Sequence, residues 1–221
     1  MKVALVGRGR TGAKVAELHS QTVCFDEHHK PTVEGLQACD VIISFLPGSI
    51  FTEYIDMFVA SQRPAAIGST GFEWPASIVQ TLKAQKIKWV NAHNFSLGMN
   101  LVKAMIEIIG RADKLYSDPQ FSIHDIHHVH KLDSPSGTAL SWQEWLGHQA
   151  DITAERTGDV VGYHHLELET PVEKIKLVHE ARDRAIFAQG ALWTADKLLH
   201  DESLEYGLTH FSQLVKKHIN I

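Results

Sequence analysis

The chain has 221 residues, with 21 Lys and Arg against 26 Asp and Glu and a formal net charge of −5. That length holds one large domain or two small ones, and the balanced charge excludes nucleic-acid binding through a basic surface. Apolar residues make up 44%, enough for a folded core, yet no apolar run reaches the roughly 20 residues of a membrane span.

Residues 2–6 (KVALV) are a short β-rich run, expected as a buried parallel strand rather than a signal peptide. Residues 7–12 read as a turn and 13–19 as a helix. Residues 22–25 form a second strand ending at Asp26, and a weak helix follows around 33–38. Residues 40–46 are a third strand, closed by Pro47-Gly48, and 52–61 have helical spacing. A strand at 65–67 stops at Gly68-Ser69-Thr70-Gly71, and a helix at 76–85 leads to a strand at 88–91. Such alternation over about 95 residues is the pattern of a doubly wound parallel sheet.

After Gly98 the pattern changes. A helix is expected at 100–109, a strand at 121–127 and a helix from Ser134-Pro135-Ser136-Gly137 to about Gln149. Antiparallel strands follow at 160–169 and 172–180, then helices at 190–200 and 210–217. The expected fold is α/β: a dinucleotide-type domain over 1–97, completed by C-terminal helices at 188–221, and a smaller α+β substrate domain over 98–187. Cys24 and Cys39 make neither a disulfide framework nor a zinc ribbon, so they are expected as buried thiols of a reducing, cytoplasmic protein.

Gly7-Arg8-Gly9-Arg10-Thr11-Gly12 is a GxGxxG between a strand and a helix. Glycines there let the backbone turn tightly and approach a pyrophosphate, which rests on free N–H groups at the helix N-terminus. Asp26, 19 residues past Gly7, stands where a ribose-binding carboxylate is expected. The bland alternative is a glycine turn without a ligand. The turns after the fourth and fifth strands, Gly68-Ser69-Thr70 and Ala92-His93-Asn94-Phe95, fall where such sheets hold the rest of a dinucleotide.

The most chemically loaded stretch runs from His124 to Thr138. As a strand it places Asp125, His127, Val129 and Lys131 on one face. Extended chain would hold His127 and Lys131 about 13 Å apart, so a shared site requires the strand to end near His127 and the chain to bend. Ser134 is expected as the helix N-cap with Pro135 in the first turn, leaving the amides of Ser136, Gly137 and Thr138 as a cradle for an anion. Lys131 and the histidines add charge and proton-transfer groups. Competing readings are a zinc site through His128 and His130, and an exposed polar strand without a role. Asp125 and Asp133 either orient histidines or cap.

The run HHVHKLDSPSGTAL resembles the signature of the 4-hydroxy-tetrahydrodipicolinate reductase (dihydrodipicolinate reductase) family, in a chain short for that family. Further matching motifs occur in the same order, including Asn94-Phe95-Ser96 and Arg156-Thr157-Gly158-Asp159 through His164. The resemblance implies a Rossmann-like domain, a substrate domain whose open mixed sheet drives homotetramer formation, and NADH and/or NADPH as cofactor. It implies His127 and Lys131 as the proton-transfer pair, and His128, Ser136, Gly137 and Thr138 as binders of a small dicarboxylate. No metal, nucleic acid or membrane enters this reading. Glu27 beside Asp26 should repel a 2′-phosphate and favour NADH, whereas His28, His29 and Lys30 would act in the opposite sense. The alternatives are another small-dicarboxylate oxidoreductase and a non-catalytic dinucleotide sensor.

Overall fold

The computed structural model describes residues 1–220, and these fall into two compact units: residues 1–97 with 184–220, and residues 98–183. Ile221, within the expected C-terminal segment, lies outside the described residues. The elements run β1 (Val3–Val6), α1 (Arg10–Leu18), β2 (Thr22–Phe25), α2 (Val33–Gln37), β3 (Val41–Ser44), α3 (Gly48–Ala60), β4 (Ala65–Ile67), α4 (Ile78–Ala84) and β5 (Lys88–Asn91). They continue with α5 (Leu97–Ile109), β6 (Gln120–His127), α6 (Gly137–Leu146), β7 (Asp151–Arg156), β8 (Gly162–Glu169), β9 (Lys174–Ala181), α7 (Ala185–His200), β10 (Gly207–His210) and α8 (Phe211–His218).

The first unit is built on a six-stranded parallel sheet, ordered β10-β5-β4-β3-β1-β2. β1, β3 and β4 are buried at every position, which is why they read as continuous apolar runs. Alternate residues feed opposite layers. Val3, Leu5 and Ile43 join Ala188, Ala191, Ala195 and Phe211 on one side. Ala4, Val6, Ile42 and Ile67 meet Phe51, Phe58 and Leu82 on the other. The small face of α7 lets it approach the sheet closely: a Cβ at Gly190 would lie 1.7 Å from the Phe95 carbonyl oxygen.

Several boundaries depart from expectation. Of the three glycines of the GxGxxG run only Gly7 takes a left-handed φ (+97°), and α1 begins at Arg10, so Gly12 is helical rather than part of the turn. A Cβ at Gly12 would sit 2.0 Å from the Gly7 carbonyl oxygen, which explains a glycine there. α3 starts at Gly48, next to its Pro47 cap, four residues earlier than its apolar spacing indicated. β10 was not expected. It has four residues and pairs with β5 alone, at the edge of the sheet. Cys39 is buried, but Cys24 is only half-buried; both are free thiols.

The second unit has a mixed sheet ordered β7-β6-β8-β9, with β6 and β7 parallel and the other pairs antiparallel. β7 is an unexpected edge strand; in its mostly polar sequence DITAER only Ile152 and Ala154 mark an apolar side. One sheet face packs Phe121, Ile123, Leu166 and Leu168 against Met99, Val102 and Ile106 of α5 and Ala139, Trp142 and Leu146 of α6. Further along the same buried rows stand Asp125 and His127 on β6 and His164 on β8. The covered face thus changes from apolar to titratable within one strand length. Among the described residues no helix is long and apolar enough to cross a membrane.

Gly190→Ala is expected to destabilise the fold by about 1–3 kcal/mol, because added bulk at a packed backbone contact forces the helix away. Thermal denaturation checks this; an unchanged melting temperature would contradict the packing described.

Candidate active site

In the first unit, a cavity of about 590 Å³ opens at the carboxyl ends of β1 and β2, lined by Gly7, Arg8, Asp26, Lys30, Pro47 and Tyr54 among others. Gly9, the cap of α1, has no atom within 4 Å of where a Cβ would be, and the first turn carries no acidic residue. The exposed helix mouth can therefore receive an anion. Asp26 Oδ1 accepts the backbone N–H groups of His29 (3.0 Å) and His28 (2.9 Å), which hold its carboxyl below the usual range. These residues fit a dinucleotide, with the glycine turn free for phosphates and an ionised acid at the second strand.

The other two expected loops lie at the same edge of the sheet. Gly48 N–H donates to the Thr70 carbonyl (3.0 Å), and a Cβ at Gly68 would strike the Phe45 ring at 2.5 Å, so β3 and β4 bring their loops together. Thr70, His93 and Asn94 are exposed, while Ser69, Ala92 and Phe95 are buried. The Phe95 ring packs on Phe211 with centroids 5.0 Å apart, so its side chain belongs to the core. Asn94 Oδ1 accepts from Ser96 N–H at 2.7 Å, fixing that turn.

In the second unit β6 ends at His127, as the shared-site argument required. Lys131 N–H donates to the His128 carbonyl at 3.1 Å, closing a turn that brings the lysine back. Lys131 Nζ then lies 2.8 Å from Asp133 Oδ1. Asp133 Oδ2 accepts Gly137 N–H at 3.3 Å. The N-cap is Ser136, not Ser134, and its hydroxyl accepts Ala139 N–H at 3.2 Å. The expected cradle therefore needs correction: Ser136 is buried, and both its N–H and its hydroxyl donate to Asp125, each at 2.9 Å. It orients the helix rather than facing a ligand. Gly137 and Thr138 remain at the helix mouth, with His128 half-buried nearby in sequence.

Asp125, His164 and Arg156 were not chosen from the sequence as binding or catalytic groups. Asp125 is fully buried and lies 2.7 Å from His127 Nδ1, 3.2 Å from His164 Nε2 and 3.2 Å from Arg156 Nη2. The recurrence of Asp125 and His127 on one strand face was the available signal; His164 and Arg156 gave none by spacing. The grouping with metal-ligand spacing among the described residues is Asp125, His127 and His164, not His128 with His130. The Arg156 guanidinium on the same carboxylate, and the two Ser136 donors, make this a hydrogen-bonded ion-pair cluster in which a cation would meet repulsion.

Burial pushes the His127 pKa down, against the opposing pull of Asp125, and Lys131 and Arg156 push it lower still. Burial likewise lowers His164, to about 4. Burial alone would raise Asp125, but the Ser136 donors and the two imidazoles bring it below the ordinary value. Lys131 beside Asp133 lowers that carboxyl to about 2.

A buried His164 of pKa about 4 has a consequence for stability. Between its ordinary value and about 4 the unfolded chain takes up a proton that the folded chain does not, so stability falls as pH drops through that window, by up to about 3 kcal/mol. Asp125 contributes above the ordinary carboxylate range and loses its contribution as pH falls through its lowered value, which acts in the same direction. Denaturant unfolding at several pH values is expected to give a shallower acid-side decline for His164→Asn; an identical decline would refute the assignment.

Residues 98–211 match the family model described as "Dihydrodipicolinate reductase, C-terminus". The 4-hydroxy-tetrahydrodipicolinate reductase of Xanthomonas campestris pv. campestris (strain B100) is 36% identical over 168 residues, covering 75% of this chain and 69% of the relative. That of Alkaliphilus metalliredigens (strain QYMF) is 29% identical over 218 residues, covering 89% of each. The solved dipicolinate-bound dihydrodipicolinate reductase from Paenisporosarcina sp. TG-14 has the same fold, with a TM-score of 0.74 at 17% identity over 95% of this chain and 97% of that one. With a family model spanning half its length and a relative above 30% identity over two thirds of both sequences, the chain belongs to the dihydrodipicolinate reductase family.

Proposed function

We propose that the protein reduces 4-hydroxy-tetrahydrodipicolinate to tetrahydrodipicolinate, a step of lysine and diaminopimelate biosynthesis, with NADH or NADPH as hydride donor. Membership of a reductase family and a Rossmann-like sheet support a nicotinamide dinucleotide as the cofactor. What supports the substrate class is that the Lys131 ammonium and the Gly137 N–H already converge on one carboxylate, that of Asp133. A dicarboxylate displaces Asp133 and takes its place, adding Thr138 N–H and hydroxyl and the His128 ring as further donors. The helix dipole strengthens each of these contacts.

Gly7, Arg8, Gly9, Arg10, Thr11 and Gly12 supply the phosphate turn, and Asp26 accepts from the adenosine ribose. Gly68, Ser69, Thr70, Ala92, His93, Asn94 and Phe95 border the nicotinamide half, several of them through backbone alone. The 4-hydroxyl and a neighbouring ring hydrogen leave as water to give a conjugated C=C/C=N system, and a bound reduced nicotinamide would supply hydride to it. Lys131, with His127, gives a proton to the enamine carbon so formed, and the ammonium offsets the negative charge that builds there. Asp26 and Glu27 together favour NADH over NADPH, because two carboxylates repel a 2′-phosphate. A homotetramer formed through the four-stranded sheet and a cytoplasmic location complete the reading; sedimentation tests the former.

Lys131→Ala is expected to lower turnover by about 10²-fold or more while cofactor affinity stays near wild type. Turnover measured with substrate from a coupled synthase, alongside cofactor titration, checks this, and a large loss of cofactor binding would reassign Lys131. Asp26→Ala should weaken NADH more than NADPH in separate titrations; equal effects would remove the ribose assignment.

A further inference from the structure

We propose that Asp125 is the positioning residue of this site, holding the His127 imidazole and the mouth of α6 in one arrangement. The proposal rests on the roles given above to His127 and Gly137. The carboxylate is 0% exposed and gathers groups from every element around it. His127 Nδ1 on its own strand stands at 2.7 Å, His164 Nε2 of β8 at 3.2 Å, and Arg156 Nη2 at the end of β7 at 3.2 Å. The N-cap of α6 supplies Ser136 N–H and hydroxyl, both at 2.9 Å.

Two effects follow from this geometry. First, a carboxylate oxygen 2.7 Å from Nδ1 favours by its charge the tautomer protonated at Nδ1 and leaves Nε2 to exchange protons. Gly162 keeps space beside that nitrogen, since a Cβ there would lie 3.2 Å from Nε2. Second, the grip on Ser136 sets where α6 begins, and therefore where the Gly137 and Thr138 amides point. One buried charge thus fixes a proton-transfer ring and, through a cap residue eleven positions further along the chain, an anion cradle.

The charged and titratable groups facing His127 are Asp125 on β6, His164 on β8, Arg156 on β7 and Lys131 in the following turn; His179 on β9 lies behind His164. Asp125 is the single acid in that set. Without it a protonated His127 meets only cationic or neutral neighbours.

The test compares wild type, Asp125→Asn, His127→Gln and the double variant by kcat, KM and pH profile, with dipicolinate inhibition as the probe of the carboxylate cradle. We expect Asp125→Asn to lower kcat about 10²-fold, to move the limb of the profile that His127 sets to lower pH, and to weaken dipicolinate about tenfold. The double variant should lose no more kcat than His127→Gln alone, because Asp125 acts through that ring. Long-range ¹⁵N–¹H spectra of the wild-type histidines, assigned with His127→Gln, should show the Nδ1–H tautomer at neutral pH; this reading needs no folded Asp125 variant. An Nε2–H tautomer, an unshifted His127 limb in a folded Asp125→Asn protein, or additive losses of kcat in the double variant would each overturn the proposal. If His127→Gln itself leaves kcat unchanged, the fault lies in the assignment of His127 and not in Asp125.

Discussion

The smaller unit is organised by the demand of one buried carboxylate. A charge removed from water is tolerated only when donors replace the water, and Asp125 has no exposed surface. Its hydrogen-bond donors come from the cap of α6 and the end of β7, and the imidazoles of β6 and β8 stand within 3.2 Å of it. Each of those segments must reach its place for the charge to be satisfied. Several boundaries of the second unit therefore coincide with this cluster: β6 stops at His127, β7 stops at Arg156 and α6 begins after Ser136.

Hydrophobic burial decides the rest of that unit. Phe121 and Ile123 precede Asp125 and His127 on the same face of β6, and Leu168 and Leu166 precede His164 on β8 in the direction of the site. Period two carries both rows under the two helices. The apolar end anchors the sheet against Trp142 and Leu146, while the polar end holds functional groups at nearly fixed angles because the same strands carry both.

Much of the fold was legible from sequence because the central strands of a parallel sheet are covered on both faces and read as apolar runs. β10 and β7 escaped because each is an edge strand with little to bury: GLTH is too short for a pattern, and DITAER carries only Ile152 and Ala154 on its apolar side. The start of α6 was misplaced by two residues because Ser134-Pro135 has the local chemistry of a cap. Ser136 wins because its hydroxyl also reaches Asp125, a contact made by tertiary structure and invisible to spacing. In the site, His127, Lys131, Gly137 and Thr138 belong to one continuous motif and could be read together. His164 and Arg156 come from strands 28 or more residues away from Ser136 and Asp125, respectively, and only pairing in the sheet brings them in.

The Asp133 carboxylate fills the space that Lys131 and the N-terminus of α6 share. A lysine and a helix N-terminus facing the same space repel other cations and leave donors unsatisfied. Asp133 lies two residues beyond Lys131 and four before Gly137, and it spans both with its two oxygens. Its pKa near 2 keeps it charged across the physiological range, so the Lys131 ammonium always has a partner. Because that aspartate is largely solvent-exposed, the pairing adds little net stability. A buried acid at the same point would hold Lys131 too firmly, whereas no acid at all would leave its position undefined. The cluster thus combines an exposed aspartate held by a weak ion pair with a buried one held by several donors, and the difference between them is solvent.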